Sequence, residues 1–205
     1  MIISRLVLAS GNPGKLREFR QLCEPLGLTI ISQADLGISE AEEPHGTFVE
    51  NALAKARHAS RASGLPAFAD DSGICVAALD GAPGVHSARF ADFAADRMAQ
   101  DARNNAKLIA ALKDKPNRRA HYMCVIVLLR YADDPEPLIA EGRWEGKIID
   151  MPRGEGGFGY DPYFFLPALK MTAAELPAHK KNLISHRGKA LAALANKLGE
   201  WSPAA

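Results

Sequence analysis

The chain alternates between short apolar runs, which read as strands, and apolar residues spaced three or four apart, which read as helices. Leu6-Val7-Leu8-Ala9 is such a run and ends at Ser10-Gly11-Asn12-Pro13-Gly14, predicting a strand followed by a turn. Asn12 suits an N-cap and Pro13 the first helical position, so a helix is expected there, carrying Leu16, Phe19, Leu22 and Cys23 and stopping near Pro25 to Gly27. Leu28 to Ile31 reads as a second strand, and residues 33–46 as an acidic loop with Glu40, Glu42 and Glu43 close together. Thr47 three residues before Glu50 has the capping-box spacing and opens a second helix, with Val49, Ala52, Leu53, Ala56 and Ala59 as its buried stripe and Gly64-Leu65-Pro66 as its end. Ala67-Phe68-Ala69 predicts a short strand running into Asp70-Asp71-Ser72-Gly73. Ile74 to Leu79 and Gly81-Ala82-Pro83-Gly84 then read as a strand and loop. A third helix is expected over 94–113, and Tyr122 to Leu129 is a continuous apolar run expected of a central strand buried on both faces. One or two strands over 137–149, a glycine-rich loop at Gly154 to Gly159 and a last helix over about 187–199, burying Leu191, Leu194 and Leu198, complete the pattern.

Helices and strands mix without strict βαβ alternation, so the expected class is α/β with a mixed β-sheet flanked by helices, rather than a doubly wound sheet. The chain shows no repeat, low-complexity tract or linker. Its 205 residues, 47% of them hydrophobic and 24% charged, fit a folded chain able to bury a sizeable core. A formal net charge of +1 provides no global field to attract a nucleic acid polymer. Cys23, Cys75 and Cys124 are widely spaced and odd in number, as expected of buried free thiols in a reducing compartment. Met1 to Ala9 is too short an apolar run for a signal peptide, and no stretch approaches the roughly 18 apolar residues of a membrane span, so a soluble cytoplasmic protein is expected.

Four segments carry candidate chemistry. Ser10-Gly11-Asn12-Pro13-Gly14-Lys15 joins backbone N–H groups at a helix start to a hydroxyl and an ammonium, a natural phosphate cradle, although it lacks the spacer and Lys-Ser/Thr pair of a Walker A loop. Asp70-Asp71, at a strand end, places two carboxylates on opposite sides, so that one can face a site while the other supports the loop. A glutamate of the acidic loop can supply a second carboxylate to the same ion, and magnesium commonly needs only one or two. Gly154, Gly156 and Gly159 match G-x-G-x-x-G, but Asp161-Pro162 does not open a helix and no βαβ unit surrounds the match, which excludes a dinucleotide fingerprint. These glycines instead let backbone approach a flat ligand, with Phe158 able to stack on a base. Lys180-Lys181-Asn182-Leu183-Ile184-Ser185-His186-Arg187 gathers donors and positive charge before a helix, and Asn51 and Lys55 share a helix face one turn apart.

In order, the segments S-G-N-x-x-K, E-N-A-x-x-K-A, A-D-D-S-G, G-A-P-G-x-x-S-A-R, F-G-Y-D-P and S-H-R run from Ser10 to Arg187. Together they resemble the inosine/xanthosine triphosphate pyrophosphatase family. The resemblance implies a single domain over 1–205 with two lobes, an elongated mixed sheet and a central active-site cleft. It implies a homodimer that cleaves deaminated purine triphosphates between the α and β phosphates with Mg2+. Ser10, Gly11, Asn12, Pro13, Gly14 and Lys15 would hold the triphosphate, assisted by Lys55, with Asn51 on the same helix face able to aim into the same pocket. Asp71 would bind the metal and accept the proton of the attacking water, with either Glu42 or Glu43 as the other metal carboxylate. Ser72, Phe158, Gly159, Tyr160, Asp161, Lys181, His186 and Arg187 would surround the nucleotide.

The 6-oxo group of hypoxanthine and xanthine accepts a hydrogen bond where adenine's 6-amino group donates one. A donor near His186-Arg187, or a backbone N–H, would therefore discriminate by about 10⁴ or more. A pyrophosphatase for other modified nucleotides would share the phosphate chemistry with a different base pocket. A non-catalytic nucleotide or RNA-binding module would call for a basic surface with interleaved aromatics, which the charge balance and 7% aromatic content do not suggest.

Overall fold

The computed structural model of the chain describes residues 5–24 and 27–198. The expectations at Met1, Pro25, residue 199 and the side chain of Leu22 lie outside the described residues. Strands β1 (Arg5–Leu8), β2 (Thr29–Ser32), β3 (Ala67–Val76), β4 (Arg119–Leu129), β5 (Leu138–Ile148), β6 (Phe164–Leu166) and β7 (Met171–Thr172) form one seven-stranded sheet in the order β2-β1-β3-β4-β5-β6-β7. β1 pairs in parallel with β2 and β3, whereas β6 pairs antiparallel with β5 and β7, so the sheet is mixed as expected. The helices are α1 (Pro13–Cys23), α2 (Phe48–Ser63), α3 (Arg97–Ala111), α4 (Ala178–Ile184) and α5 (His186–Leu198).

Local signals set the helix starts. Asn12 accepts from Gly14 N and Lys15 N with Pro13 at the first position, and Thr47 accepts from Glu50 N at 3.3 Å. α3 starts at Arg97 rather than residue 94, because Asp96 caps it by accepting from Ala99 N at 2.9 Å. In α2 the buried stripe is Asn51, Ala52, Ala56, Ala59 and Ser60; Val49 and Leu53 are only half-buried. Asn51 displaces them because its amide is satisfied where it is buried, donating to and accepting from the backbone of His45.

The largest departure from expectation is β3. Asp70-Asp71-Ser72-Gly73 does not follow a three-residue strand but lies inside a ten-residue one. The Asp70 charge, which would otherwise expel the segment from the sheet, is matched by Lys15 Nζ at 2.9 Å. Gly73 lets the strand continue, since a Cβ there would run into Gly84 O and Ser87 Oγ. After Val76 the chain leaves the sheet through 3₁₀ turns at Ala77–Leu79 and Gly84–Arg89, not through a strand to Leu79. β6, β7 and α4 carry no periodic signal because they are too short to show one.

The described chain divides into two compact units. Unit 1 comprises the described residues within 5–71, 124–142 and 187–198, and unit 2 residues 72–123 and 143–186. The core of unit 1 gathers Leu6, Leu8, Phe19, Phe68, Ile126, Leu128, Leu191 and Leu194, with the Phe19 and Phe68 rings edge to face at 5.3 Å. That of unit 2 gathers Ile74, Val76, Leu108, Leu112, Tyr122, Trp144 and Phe164. Cys23 and Cys124 are buried free thiols, and burial pushes Cys23 up to about 12, which keeps it inert; Cys75, expected to be buried, is only half-buried.

The turn after β4 is held by a fully buried carboxylate. Asp134 accepts from the backbone of Arg130 and Glu136 and from the Arg130 guanidinium at 2.5 and 2.8 Å. The Arg130 hydrogen bonds lower its pKa from 3.8 to about 2. A depressed carboxylate contributes stability that is complete above its unfolded pKa, about 3.9, and is lost as pH falls through 2. Asp134→Asn is therefore expected to cost about 2 kcal/mol at pH 7. The deficit should shrink between about pH 4 and 2, and urea denaturation of both proteins across that range checks it.

Candidate active site

Unit 1 concentrates charge at the N-terminus of α1 and along β3. The Ser10 to Lys15 turn forms as expected, but its backbone N–H groups are not all open. Asn12 Oδ1 already accepts from Gly14 N at 2.9 Å and Lys15 N at 3.3 Å, Pro13 has no N–H, and Asn12 N donates to Ser10 Oγ at 3.2 Å. The cap that starts the helix thus uses donors that the sequence reading assigned to a phosphate cradle. What remains for an anion is the Ser10 hydroxyl proton, the Gly11 segment and above all Lys15.

Asp70 and Asp71 diverge as strand neighbours must. Asp70 is 0% exposed and Asp71 6%. Burial opposes the charge on Asp70, yet Lys15, Arg187 and Lys55 together hold its carboxyl well below the usual range. Arg187 is itself buried, with Nη1 2.7 Å from Glu18 Oε2 and Nε 3.6 Å from Asp70 Oδ2. Sequence reading placed Arg187 around the nucleotide; the fold commits two faces of its guanidinium to carboxylates of unit 1.

Asp71 faces a different set. Asn51 Nδ2 donates to its Oδ2 at 3.3 Å and Lys55 Nζ to its Oδ1 at 3.2 Å, so the one-turn spacing of Asn51 and Lys55 does place both on one group. Burial raises the Asp71 pKa, and the charges of Glu43 and Asp70 add to that against Lys55 and Lys15. Lys55 moves the same way: burial disfavours its charge, but Asp71, Asp70 and Glu43 outweigh it and raise its pKa. The contact thus favours the ammonium more than it favours the carboxylate, because Asp71 also meets two like charges. A carboxylate so placed is a stronger proton acceptor than a free aspartate.

The acidic loop delivers its glutamates to different places. Lys55 Nζ lies 2.6 Å from Glu43 Oε1 and so bridges Glu43 to Asp71. Glu42 is exposed, and the Glu40 carboxylate lies where a Cβ on Gly11 would be. Among the described residues no group of three or more His, Cys, Asp or Glu side chains is gathered to hold a metal ion. Magnesium, however, is typically held by one or two carboxylates, with waters and substrate phosphates completing its shell. Asp71 and Glu43 fit that lesser demand.

In unit 2 the second cluster is aromatic and closely bonded. Asp161, buried, accepts through Oδ2 from Phe158 N at 2.9 Å and Lys181 Nζ at 2.7 Å, and through Oδ1 from Tyr122 Oη at 3.4 Å. Lys181 Nζ also lies 5.0 Å from the centre of the half-buried Phe158 ring. His186 stacks on Tyr122 at 4.6 Å with the planes 9° apart, and Trp144 lies 6.3 Å from it. Tyr160 Oη donates to Ser87 O at 2.7 Å. The structure thus brings Phe158, Gly159, Tyr160, Asp161 and Lys181 together, places His186 on the Tyr122 ring, and leaves Ser72 half-buried on β3. Gly157 has positive φ, and a Cβ on it would strike the Asp161 carboxylate, so this glycine lets the loop backbone close on Asp161.

Sequence reasoning missed Glu18, Tyr122, Asp101, Asn104 and Asn105. Glu18 and Tyr122 carry no local signal, being a helix-face glutamate and one aromatic in an apolar run. The polar Asp101, Asn104 and Asn105 sit at i, i+3 and i+4 on α3, and that clustering was the available sign.

Comparison with known proteins gives the chain's family. Residues 6–197 match the model of the Ham1 family. The dITP/XTP pyrophosphatase of Burkholderia pseudomallei is 65% identical over 197 residues, covering 96% of this chain and 94% of that protein. A HAM1 protein from Coxiella burnetii superposes with a TM-score of 0.89 at 47% identity, covering 97% of this chain and 100% of the other. The Ham1 protein of Staphylococcus aureus does so with a TM-score of 0.83 at 37% identity, covering 96% and 100%. On the strength of that match over nearly its whole length, the chain belongs to the Ham1 family.

Proposed function

We propose that this protein is a magnesium-dependent nucleoside triphosphate pyrophosphatase that hydrolyses deaminated purine nucleotides, ITP, dITP, XTP and dXTP, to the monophosphate and pyrophosphate. The observation that carries the reading is the Glu43–Lys55–Asp71 cluster, with Asn51 as the second donor to Asp71. It combines a buried acceptor, a second carboxylate and an ammonium within one unit.

The triphosphate end of the substrate is assigned to Lys15, Lys55 and the Ser10 to Gly14 turn, and the base end to Phe158, Gly159, Tyr160, Asp161, Lys181 and His186. Ser72 and Arg187 belong to the same assignment, Arg187 acting through Asp70. Asp71 and Glu43, rather than Glu42, are the metal carboxylates. A magnesium ion bound there with the phosphates supplies charge neutralisation and a water of lowered pKa. Asn51 and Lys55 hold both oxygens of Asp71 in place, so that its carboxylate takes the proton as the water oxygen bonds to the α phosphorus and the bond to pyrophosphate breaks. Lys15 and Lys55 offset charge gathering on the departing pyrophosphate. Lys181, held by Asp161, lies over one face of the Phe158 ring proposed to stack on the base, and its ammonium suits a purine bearing oxygen rather than an amino group.

The homodimer and a place in the cytoplasmic nucleotide pool belong to the same proposal; a solution mass near twice 22.1 kDa checks the first. No helix among the described residues is long and apolar enough to cross a membrane.

The decisive measurement is pyrophosphate release from dITP, XTP, ATP and GTP with magnesium and after its removal by EDTA. Rapid release from dITP and XTP that EDTA stops and added magnesium restores is the expected result. Equal release from all four would overturn the base assignment, and release unaffected by EDTA would overturn the metal assignment.

A further inference from the structure

The polar face of α3 carries a device that nothing in the reaction scheme uses. Asp101 Oδ2 accepts from Gly159 N at 2.9 Å, and Asn105 Nδ2 donates to Gly159 O at 2.9 Å. Two side chains one helical turn apart thus engage both polar groups of a single residue in the loop that follows Phe158. Asn105 Nδ2 also donates to the carbonyl of Asp101 at 2.8 Å, which fixes the amide's orientation. Arg97, one turn before Asp101, lies 3.9 Å from its carboxylate and 5.7 Å from the centre of the Phe158 ring.

A third side chain on this face ties the helix to the loop's other support. Asn104 donates to Ser87 O and Ala88 O and accepts from Ala91 N at 2.8 Å. Ser87 O is also the acceptor of the Tyr160 hydroxyl, and Ser87 Oγ accepts from Ile74 N at 2.9 Å and donates to Gly84 O at 2.6 Å. The G-A-P-G-x-x-S-A-R segment, which the sequence reading could give no role, therefore backs the Phe158 to Asp161 loop through Ser87.

Stability alone does not account for Asn105. It sits inside a helix, where asparagine is a poor former, and is only 7% exposed. Its Oδ1 is buried and bonds to nothing among the described residues, a cost normally tolerated where a specific geometry is needed.

We infer that Asp101 and Asn105 are positioning residues for base recognition: by clamping the Gly159 peptide they fix Phe158 and, through the Phe158 N–H, the Asp161–Lys181 pair. The inference rests on the assignment of Phe158 to Lys181 as the base end of the site. The clamp acts on substrate affinity and base preference and leaves the chemical step, at Asp71, alone.

Asp101→Ala removes one acceptor, and Asn105→Asp turns the donor into an acceptor facing the carbonyls of Gly159 and Asp101. Each is expected to raise KM for dITP about tenfold, with kcat changed by less than about threefold, and to narrow the preference for dITP over dATP. Asp101→Asn keeps an acceptor for Gly159 N and is expected to retain most of the wild-type KM, a rescue that a purely structural role would not select. Phe158→Ala serves as reference, and its combination with Asn105→Asp is expected to be less than additive, because both act on one ring. Circular dichroism and Tm accompany every variant. Unchanged KM and preference in Asp101→Ala and Asn105→Asp, while Phe158→Ala is impaired, overturns the clamp alone. An unimpaired Phe158→Ala overturns the base assignment itself. A fall in kcat with KM unchanged would place the two residues with the chemistry and overturn the inference equally.

Discussion

Asp71→Asn is expected to lower pyrophosphate release from dITP by about 10³-fold or more, without lowering the stability of the fold by more than about 1 kcal/mol. The two halves of that expectation have different causes. Activity falls because asparagine offers neither a proton acceptor nor a charge for the cation. Stability holds because the native carboxylate is not comfortably placed. Burial and the neighbouring charges of Glu43 and Asp70 raise its pKa, so at neutral pH its ionised form is less favourable in the folded chain than in the unfolded one. Removing that charge relieves a like-charge contact and leaves Lys55 paired with Glu43 at 2.6 Å. A Tm equal to or above that of the wild type, beside lost turnover, is the pattern of a site kept at some cost to stability. Retention of more than a tenth of the wild-type rate would remove Asp71 from the role of proton acceptor.

The second large effect concerns Lys15, which the fold gives two tasks. Its side chain is only 14% exposed, and the ammonium lies 2.9 Å from the fully buried Asp70 carboxylate. Lys15→Met removes the nearest cation from that carboxylate and leaves it to more distant charges, Arg187, whose Nε is 3.6 Å away and which is shared with Glu18, and Lys55. Breaking one side of a buried pair strands a charge, and about 3 kcal/mol of stability is expected to be lost. Adding Asp70→Asn removes the stranded charge, and the double variant should recover most of that loss in urea denaturation. It should not recover activity, because the cation proposed to meet the pyrophosphate is still missing, and release should stay about 100-fold down. A double variant with both stability and turnover restored would make Lys15 a purely structural partner of Asp70. One in which stability stays low would show that Lys15 packs more than it pairs.

The contrast between these two lysines and aspartates shows how far the residue pattern can be read. The strand alternation at Asp70-Asp71 already puts the two carboxylates on opposite sides, so that one can support the loop while the other faces a site, and the i, i+4 spacing of Asn51 and Lys55 already puts both on one helix face. Neither tells which long side chain crosses to which carboxylate. Lys15 was read as a phosphate ligand and is also a counter-ion; Arg187 was read beside the nucleotide and is bound to Glu18 and Asp70. The choice between Glu42 and Glu43 is of the same kind. Adjacent residues in an irregular loop have no period to distinguish them; in the fold Lys55 pairs with Glu43, which is the ground on which Glu43 is proposed.

What the sequence determined by itself is local. Asn12 and Pro13 start α1, Thr47 caps α2, the apolar run from Tyr122 to Leu129 is buried within β4 except at Met123, and the ordered motifs from Ser10 to Arg187 carry the family resemblance. Capping, periodicity and burial of a continuous apolar run depend on neighbours within a few positions, so they are legible without a fold. The tertiary structure alone decided that β3 runs unbroken through Asp70 to Gly73, that Asn51 rather than Val49 is buried, and that Asp101 and Asn105 hold Gly159. Each of these depends on a group 6 to 58 positions away that removes a charge, satisfies an amide or occupies the space of an absent Cβ. A buried polar group is tolerable only once its partner has arrived, and the partner's arrival is a property of the folded chain.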